Sequence, residues 1–476
     1  MPASIVADRA MAPICTLSPD DVAGLVDQLA AYHTHLAPAF ARTDQAAWAH
    51  LYLQGLLGDC QRKSIEPMAL ALGVNIRAMQ HFISASSWAT APVLALHHAL
   101  VAQTLGTADG VYLIDESGVV KQGRDSVGVA PQYCGSVGKV ANSQVGVYLG
   151  YASTNGHTLL DGQLFVPANW FTDPHSDLRQ ATGMPTDLTF QTKPQIALAL
   201  LTTSRQRRTL PARWVAADAL YGDSPAFRDG VAALDLWYFT AVRSDTLIWR
   251  RHPALIMPAY GGKGRRPTRQ QLKTASNQPY AVRDLLRRLP KTAWVRAAIK
   301  DGSKGPIVCD LAVLRVTEAR GGLPGPRQWL VIRRSLRDPT DVRYYLSNAP
   351  ETTAMTVLAA MVGWRWPVEL LFETGKGELG MDHYEVRSWA GWHHHMVLLM
   401  LAHHFLVWVQ VHWHAHAPAL TLYQVRLLLT AVLPKPIFDA ARALEIVCYY
   451  QRRNHAAAVS HRKRTLARLK ELDFAL

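Results

Sequence analysis

Five side chains are spaced for phosphate chemistry: Asp115, Asp218, Glu369, Arg365 and Lys376. From Arg365 to Glu369 is four residues and from Glu369 to Lys376 seven, so on a helix the three share one face, a carboxylate between two cations. An acid flanked by bases suits a metal-bound phosphate, because the acid holds the metal while the cations take the phosphate charge. The surrounding run, Arg365-Trp-Pro-Val-Glu-Leu-Leu-Phe-Glu-Thr-Gly-Lys376, is apolar at Trp366, Leu370 and Phe372. Pro367 fits only a first helical turn, which predicts a helix starting there. An exposed helix with i,i+4 ion pairs carries the same triplet; the upstream pattern separates the two readings.

Two aspartates each end a strand-like run, Val111-Tyr-Leu-Ile-Asp115 and Arg213-Trp-Val-Ala-Ala-Asp218. Either alone fits a buried strand running into a turn. In series with a helical Glu they make a set. Other acids stand nearby: Glu116 neighbours Asp115 but points to the opposite strand face, Asp223 follows Asp218, and Glu373, at i+4 from Glu369, is the closest substitute.

In order and setting, Asp115, Asp218 and Glu369 resemble the DDE triad of cut-and-paste transposases with a ribonuclease-H-like core. Arg365, Glu369 and Lys376 match the Arg, Glu and Lys of the Tyr-x2-Arg-x3-Glu-x6-Lys signature of one group of bacterial insertion-sequence transposases. The signature's Tyr falls at Val362, and because that Tyr is implied in handling the transposon-end backbone, no hairpin intermediate is inferred. Four further segments resemble the insertion-sequence 701 family: Arg62-Lys-Ser-Ile-Glu-Pro-Met-Ala69, Gly128-Val-Ala-Pro-Gln-Tyr-Cys-Gly-Ser-Val-Gly-Lys139, Asp218-Ala-Leu-Tyr-Gly222 and Gly380-Met-Asp-His-Tyr-Glu-Val-Arg-Ser-Trp-Ala-Gly-Trp-His393. The resemblance implies cleavage of transposon ends and their joining to target DNA. It implies two Mg2+, replaceable by Mn2+, with Asp115 bridging both, Asp218 and Glu369 holding one each, and Arg365 and Lys376 gripping the DNA backbone. It also implies a homodimer on paired ends.

The elements that must position these residues follow from the pattern. Ser18-Pro-Asp-Asp opens a helical region, and apolar positions recur at helical spacing to about residue 105. Within it, Ala69, Gly73 and Met79 stand where a helix-turn-helix needs a small residue, a turn glycine and an apolar plug, leaving Arg77 and Gln80 on the second helix to face a DNA groove. An ordinary helical hairpin has the same pattern. Strands are predicted at 111–114, 144–151 and 162–167, a helix over 193–203, and strands again at 307–316, 328–333 and 342–346. The loop between the first two strands carries Lys121, Arg124 and Lys139 and is of a kind that cradles phosphate, or simply a solvated hairpin. His393, His394 and His395 point in different directions on a helix, which predicts a packed cluster and not one metal site. The fold class expected is α/β: a ribonuclease-H-like core with a helical N-terminal region and a β-rich insertion. The expected divisions are a helical DNA-binding region at 1–107, the first part of the core at 108–222, a basic β-rich insertion at 223–350, the end of the core at 351–415 and a basic helical C-terminal region at 416–476.

Lys and Arg total 50 against 36 Asp and Glu, a formal charge of +14 that favours a polyanionic partner such as double-stranded DNA. Residues 250–304 hold fourteen Lys or Arg against Asp284 and Asp301, so twelve of that excess lies in one stretch. Its most basic loop contains Lys263, Arg265, Arg266 and Arg269, placed to lie along a DNA backbone. Five cysteines without close pairs suggest neither a disulfide framework nor a zinc knuckle. The first residues lack the basic and apolar regions of a signal peptide, and the apolar run 396–411 is too short to span a bilayer and reads as a buried helix. A cytoplasmic, nucleoid-associated protein is expected, with no membrane partner. Two other classes share these features: a DNA-binding protein derived from a transposase but without catalysis, and a metal-dependent nuclease that cuts without joining.

Overall fold

Apart from a short pair at 255–256 and 271–272, the β-branched and aromatic runs enter one large sheet. In the computed structural model, which describes residues 15–262, 265–302 and 305–471, it has twelve strands: β1 (Gly110–Val120), β2 (Ala130–Cys134), β3 (Lys139–Ser153), β4 (Gly156–Phe165), β5 (Ala212–Ala217), β6 (Trp237–Val242), β7 (Leu247–Trp249), β8 (Tyr280–Ala281), β9 (Trp294–Gly302), β10 (Gly305–Arg320), β11 (Leu323–Ser335) and β12 (Val342–Ser347). The order is β8-β7-β10-β11-β12-β6-β5-β1-β3-β2, with β4 on β3 and β9 on β10. β5 pairs in parallel with both β1 and β6, while β1–β3 and β12–β6 are antiparallel. The strand predicted at 162–167 instead begins at Gly156 and ends at Phe165, before Pro167. Residues 223–350 do supply strands, and these lengthen the central sheet beyond β6.

Helices α1 to α6 (Pro19–Ala23, Leu25–Leu36, Thr43–Leu57, Ile65–Leu72, Ile76–Ser84 and Thr90–Leu105) precede the sheet. Ser18 caps α1 through a reciprocal bond with Asp21, as its sequence predicts. Parallel strands need crossovers: α7 (Ser176–Ala181) and α8 (Lys193–Arg207) lead to β5, while α9 (Ala219–Gly222) and α10 (Pro225–Ala233) connect β5 to β6. After the sheet's basic portion, which includes α11 (Val282–Leu286), come α12 (Met355–Gly363), α13 (Pro367–Gly377), α14 (Trp389–His412), α15 (Leu422–Val432) and α16 (Ala440–Glu471).

The period-two alternation of β1 sorts the core into two layers. Tyr112 and Ile114 pack with Ile196, Leu200 and Phe227 of the crossover helices, whereas Val111 and Leu113 pack with Val368, Leu371 and the buried length of α14. Helix α14 passes the length and apolarity test for a membrane span, yet 83% of that apolar window is buried inside the protein, the core helix its sequence predicts. Its histidines bond outward in different directions: His395 Nδ1 to the Tyr52 hydroxyl at 2.8 Å, His404 Nδ1 to that of Tyr32 at 2.9 Å, and His403 Nδ1 to that of Thr158 at 3.0 Å.

Candidate active site

Asp115 and Asp218 meet because their strands are parallel and in register. Ile114 of β1 pairs with Ala217 of β5, so the next residue of each strand lies beside the other. Alternation then points both carboxyls to the layer that α13 covers, since Leu113 and Ala216 lie there. Asp115 accepts the Glu116 N–H at 2.8 Å, and Asp218 caps α9 by accepting the Leu220 N–H at 2.9 Å. Burial pushes the Asp115 carboxyl up to about 7, with the Asp218 charge adding to it and Arg365 opposing it. Burial likewise raises Asp218, helped by Glu116 and again opposed by Arg365.

Helix α13 begins at Pro367, as predicted, with Arg365 in the turn before it and Glu369 in its first turn. It buries Val368, Leu371 and Gly375, which leaves Arg365, Glu369 and Lys376 along one flank. Glycine permits the close approach: a Cβ on Gly150 would lie 2.7 Å from Leu371 Cδ1. One residue on, the Phe372 ring meets that of Tyr148 at 5.5 Å, and Tyr148 is the cross-strand partner of Asp115. The helix is thus fixed over the aspartates. Glu369 itself is exposed, and the charge it influences is Lys300 on β9, whose ammonium lies 5.0 Å from the Trp366 ring centroid. Among the described residues, no three His, Cys, Asp or Glu side chains come close enough to hold a metal ion. Glu369 is therefore not gathered with the two half-buried aspartates, whose like charges would repel a third carboxylate.

The neighbouring acids fall into place. Glu116 points to the opposite layer, as strand geometry predicts, and accepts the Tyr221 hydroxyl at 2.8 Å and the Lys193 ammonium at 3.0 Å. Asp223 pairs with Arg243 at 2.9 Å, while Glu373 is exposed beside Glu369 on α13. Lys193, Tyr221 and Lys300 were not singled out from the sequence. Tyr221 lies inside the quoted Asp218–Gly222 motif, so a signal existed for it; Lys300 is brought in only by the fold of a distant strand.

The candidate DNA contacts are dispersed. Arg77 and Gln80 are exposed on α5, Lys139 is exposed at the start of β3, and Arg265, Arg266 and Arg269 are exposed on their loop; Lys263 lies outside the described residues. Lys376 is half-buried. Lys121 is committed internally, donating to the Tyr384 carbonyl at 2.8 Å with its ammonium 3.6 Å from that ring's centroid, and burial lowers it to about 8. Val362, at the position of the signature's Tyr, is buried in the core.

β1 runs on through Asp115 to Val120, past its predicted end, because β3 pairs with it along that whole length; Asp115 therefore lies mid-strand, where the parallel pairing with β5 stops, and Asp218 directly follows β5. The chain belongs to the DDE superfamily endonucleases, whose family model matches residues 35–306; both aspartates fall inside that match and Glu369 beyond it. Membership implies a ribonuclease-H-like α/β core. A probable transposase for insertion sequence element IS701 from Microchaete diplosiphon is 26% identical over 365 residues, 76% of this chain and 81% of that protein. These two findings bear out the resemblance drawn from the motifs. Among solved structures, the NurA nuclease from Sulfolobus solfataricus is 11% identical, covering 59% of this chain and 80% of that one, with a TM-score of 0.23, too loose for any structural argument.

Proposed function

We propose that the protein is a DNA transposase that cuts the ends of its own mobile element and joins them to target DNA. The observation that carries this is the Ile114–Ala217 register that sets Asp115 beside Asp218, two half-buried carboxyls with raised pKa values in a chain of the DDE family. Such a pair fits a hard divalent cation, which takes carboxylate oxygens and relieves the repulsion that burial imposes. Asp115 and Asp218 would hold it from the sheet and Glu369 from α13. When bound, Mg2+ supplies an activated nucleophile and neutralises charge on the phosphoryl oxygens.

The protein's own residues do the rest. Arg365 draws charge toward the aspartates, and with Lys376 on the same flank it grips the phosphate beside the cut. The Glu116–Lys193–Tyr221 network braces β1 on the face behind Asp115. After the first cut, the freed 3′-hydroxyl takes the place of water in the same pocket, so joining uses the groups that made the cut. The partners are the terminal repeats and target DNA in the bacterial cytoplasm, with two copies on paired ends.

The test is excision, by purified protein with Mg2+, of a marked segment bounded by the repeats that flank this gene. Wild type should excise and Glu369→Ala should not, while Glu373→Ala retains activity. A wild type that binds the ends but cuts them with neither Mg2+ nor Mn2+ would establish the non-catalytic binder. Cutting without any joined product would establish a nuclease.

A further inference from the structure

Helices α4 and α5 form the turn expected of a DNA-reading hairpin. Gly73 between them has φ +68, Ala69 and Met79 are fully buried, and Asn75 caps α5 through the Ala78 N–H. The exposed side of α5 does not face open solvent alone. Helix α16 runs beside the hairpin, fixed to α4 by the Arg442 guanidinium on the Leu70 carbonyl at 2.8 Å and by Arg453 on Glu66 at 2.7 Å. Pro436, just before α16, approaches so closely that a Cβ on Gly73 would lie 2.8 Å from its ring. Between the helices is a cleft of about 1000 Å³, closed at one side by residues 385–388, which join the Glu369 region to α14.

The charge balance of this cleft is uneven. It is lined by Arg77, Arg387, Arg452 and Arg453 against Glu66 and Glu385. Both acids are already satisfied, Glu66 by Arg453 at 2.7 Å and Glu385 by Arg62 at 2.7 Å, and Arg387 reaches Asp125 at 3.3 Å. Arg77 and Arg452 carry no ion pair among the described residues. Two guanidiniums from separate helices thus face one polar cleft without counter-charge, and guanidinium forks bind phosphate in preference to most other groups.

We propose that this cleft seats the phosphate backbone of duplex DNA, with α16 as a second arm beside the DNA-reading helix α5; the proposal rests on the transposon-end reading above and gives it a second contact. With α5 in a major groove about 12 Å wide, the strand bordering that groove runs alongside it, where Arg452 stands. Helix α16 then continues fully exposed past residue 453 to Arg462, Lys463 and Arg464, nine residues and about 13 Å further on at 1.5 Å per residue. Those cations extend the track along the same strand.

The test uses the full chain and a fluorescent duplex carrying the terminal repeat, with binding followed by anisotropy over a range of salt. Arg452→Ala, at an exposed position, should weaken binding about tenfold and reduce the slope of log K against log salt by about 1, as loss of one phosphate contact does. Its melting temperature should stay at the wild-type value. Arg77→Ala should lose affinity as well, and the double variant should lose more. Unchanged affinity and slope for Arg452→Ala overturn the proposal. So does tighter binding, which would make α16 a cover over α5. If wild type itself ignores the duplex, the transposon-end reading falls with it, an outcome distinct from the other two.

Discussion

At the residue scale, the two aspartates are placed against their own stability. Each is held in the layer beneath α13, and burial raises both, Asp115 to about 7. Asp115→Asn should therefore abolish cutting yet raise the melting temperature of the metal-free protein, the trade expected where a site stores unfavourable charge; calorimetry beside an excision assay checks both halves. Glu116 is a different case. Its carboxylate touches Lys193 and Tyr221, so Glu116→Gln should slow cutting by roughly 10- to 100-fold, as loss of an orienting partner commonly does, while DNA affinity stays the same. Equal losses of affinity and rate would make the network merely structural. The neighbourhood of the two aspartates was legible because each follows an apolar strand-like run, and the start of α13 because Pro367 fits a first helical turn. The Lys300 contact was not, since nothing in a linear chain brings a residue on β9 beside one on α13.

At the element scale, α14 matters most. It was legible as a buried helix from its apolar run, and the separate directions of its histidines follow from helical geometry. Their partners were not legible, because Tyr52, Tyr32 and Thr158 come from elements far away in sequence. Several of these rings are held neutral. Burial lowers His395 to about 3, with Lys121 adding to the effect, and lowers His403 to about 3, with His157 and His97 contributing. His97 on α6, near Arg207, is lowered to about 4 mainly by burial. A histidine with a folded pKa below its unfolded value binds fewer protons when folded, so stability is full above about pH 6.5 and is lost as pH falls toward 3 to 4. The melting temperature should be flat from pH 7 to 8 and drop steadily below 6.5, on the order of a kcal/mol per histidine per pH unit. A curve that falls only below pH 4 would assign acid lability to the carboxylates instead.

At the scale of the whole molecule, the core was legible as an order of elements: three strands, a helix and the strand before Asp218, each near its predicted place. The extent of the sheet was not. Residues 223–350 read as an insertion because their length and basic charge set them apart, but β-strands with open edges add to any available sheet edge, and here β12 pairs with β6 and carries β11 and β10 with it. The N-terminal helices show the same dependence on distance. Tyr32, Tyr52 and Ile83 bond to His404, His395 and His394, 372, 343 and 311 residues later. A fragment ending at residue 107 should therefore give the circular dichroism of a poorly ordered chain, and one extended to residue 432 should show cooperative unfolding. Those distances also become intervals of time. At about 5–20 residues per second, the ribosome takes on the order of tens of seconds to pass from α5 to α14. Throughout that period α5 has α3 and α4 beside it but lacks the packing that α14 supplies, so a nascent or prematurely ended copy carries this hairpin without the contacts that complete its core.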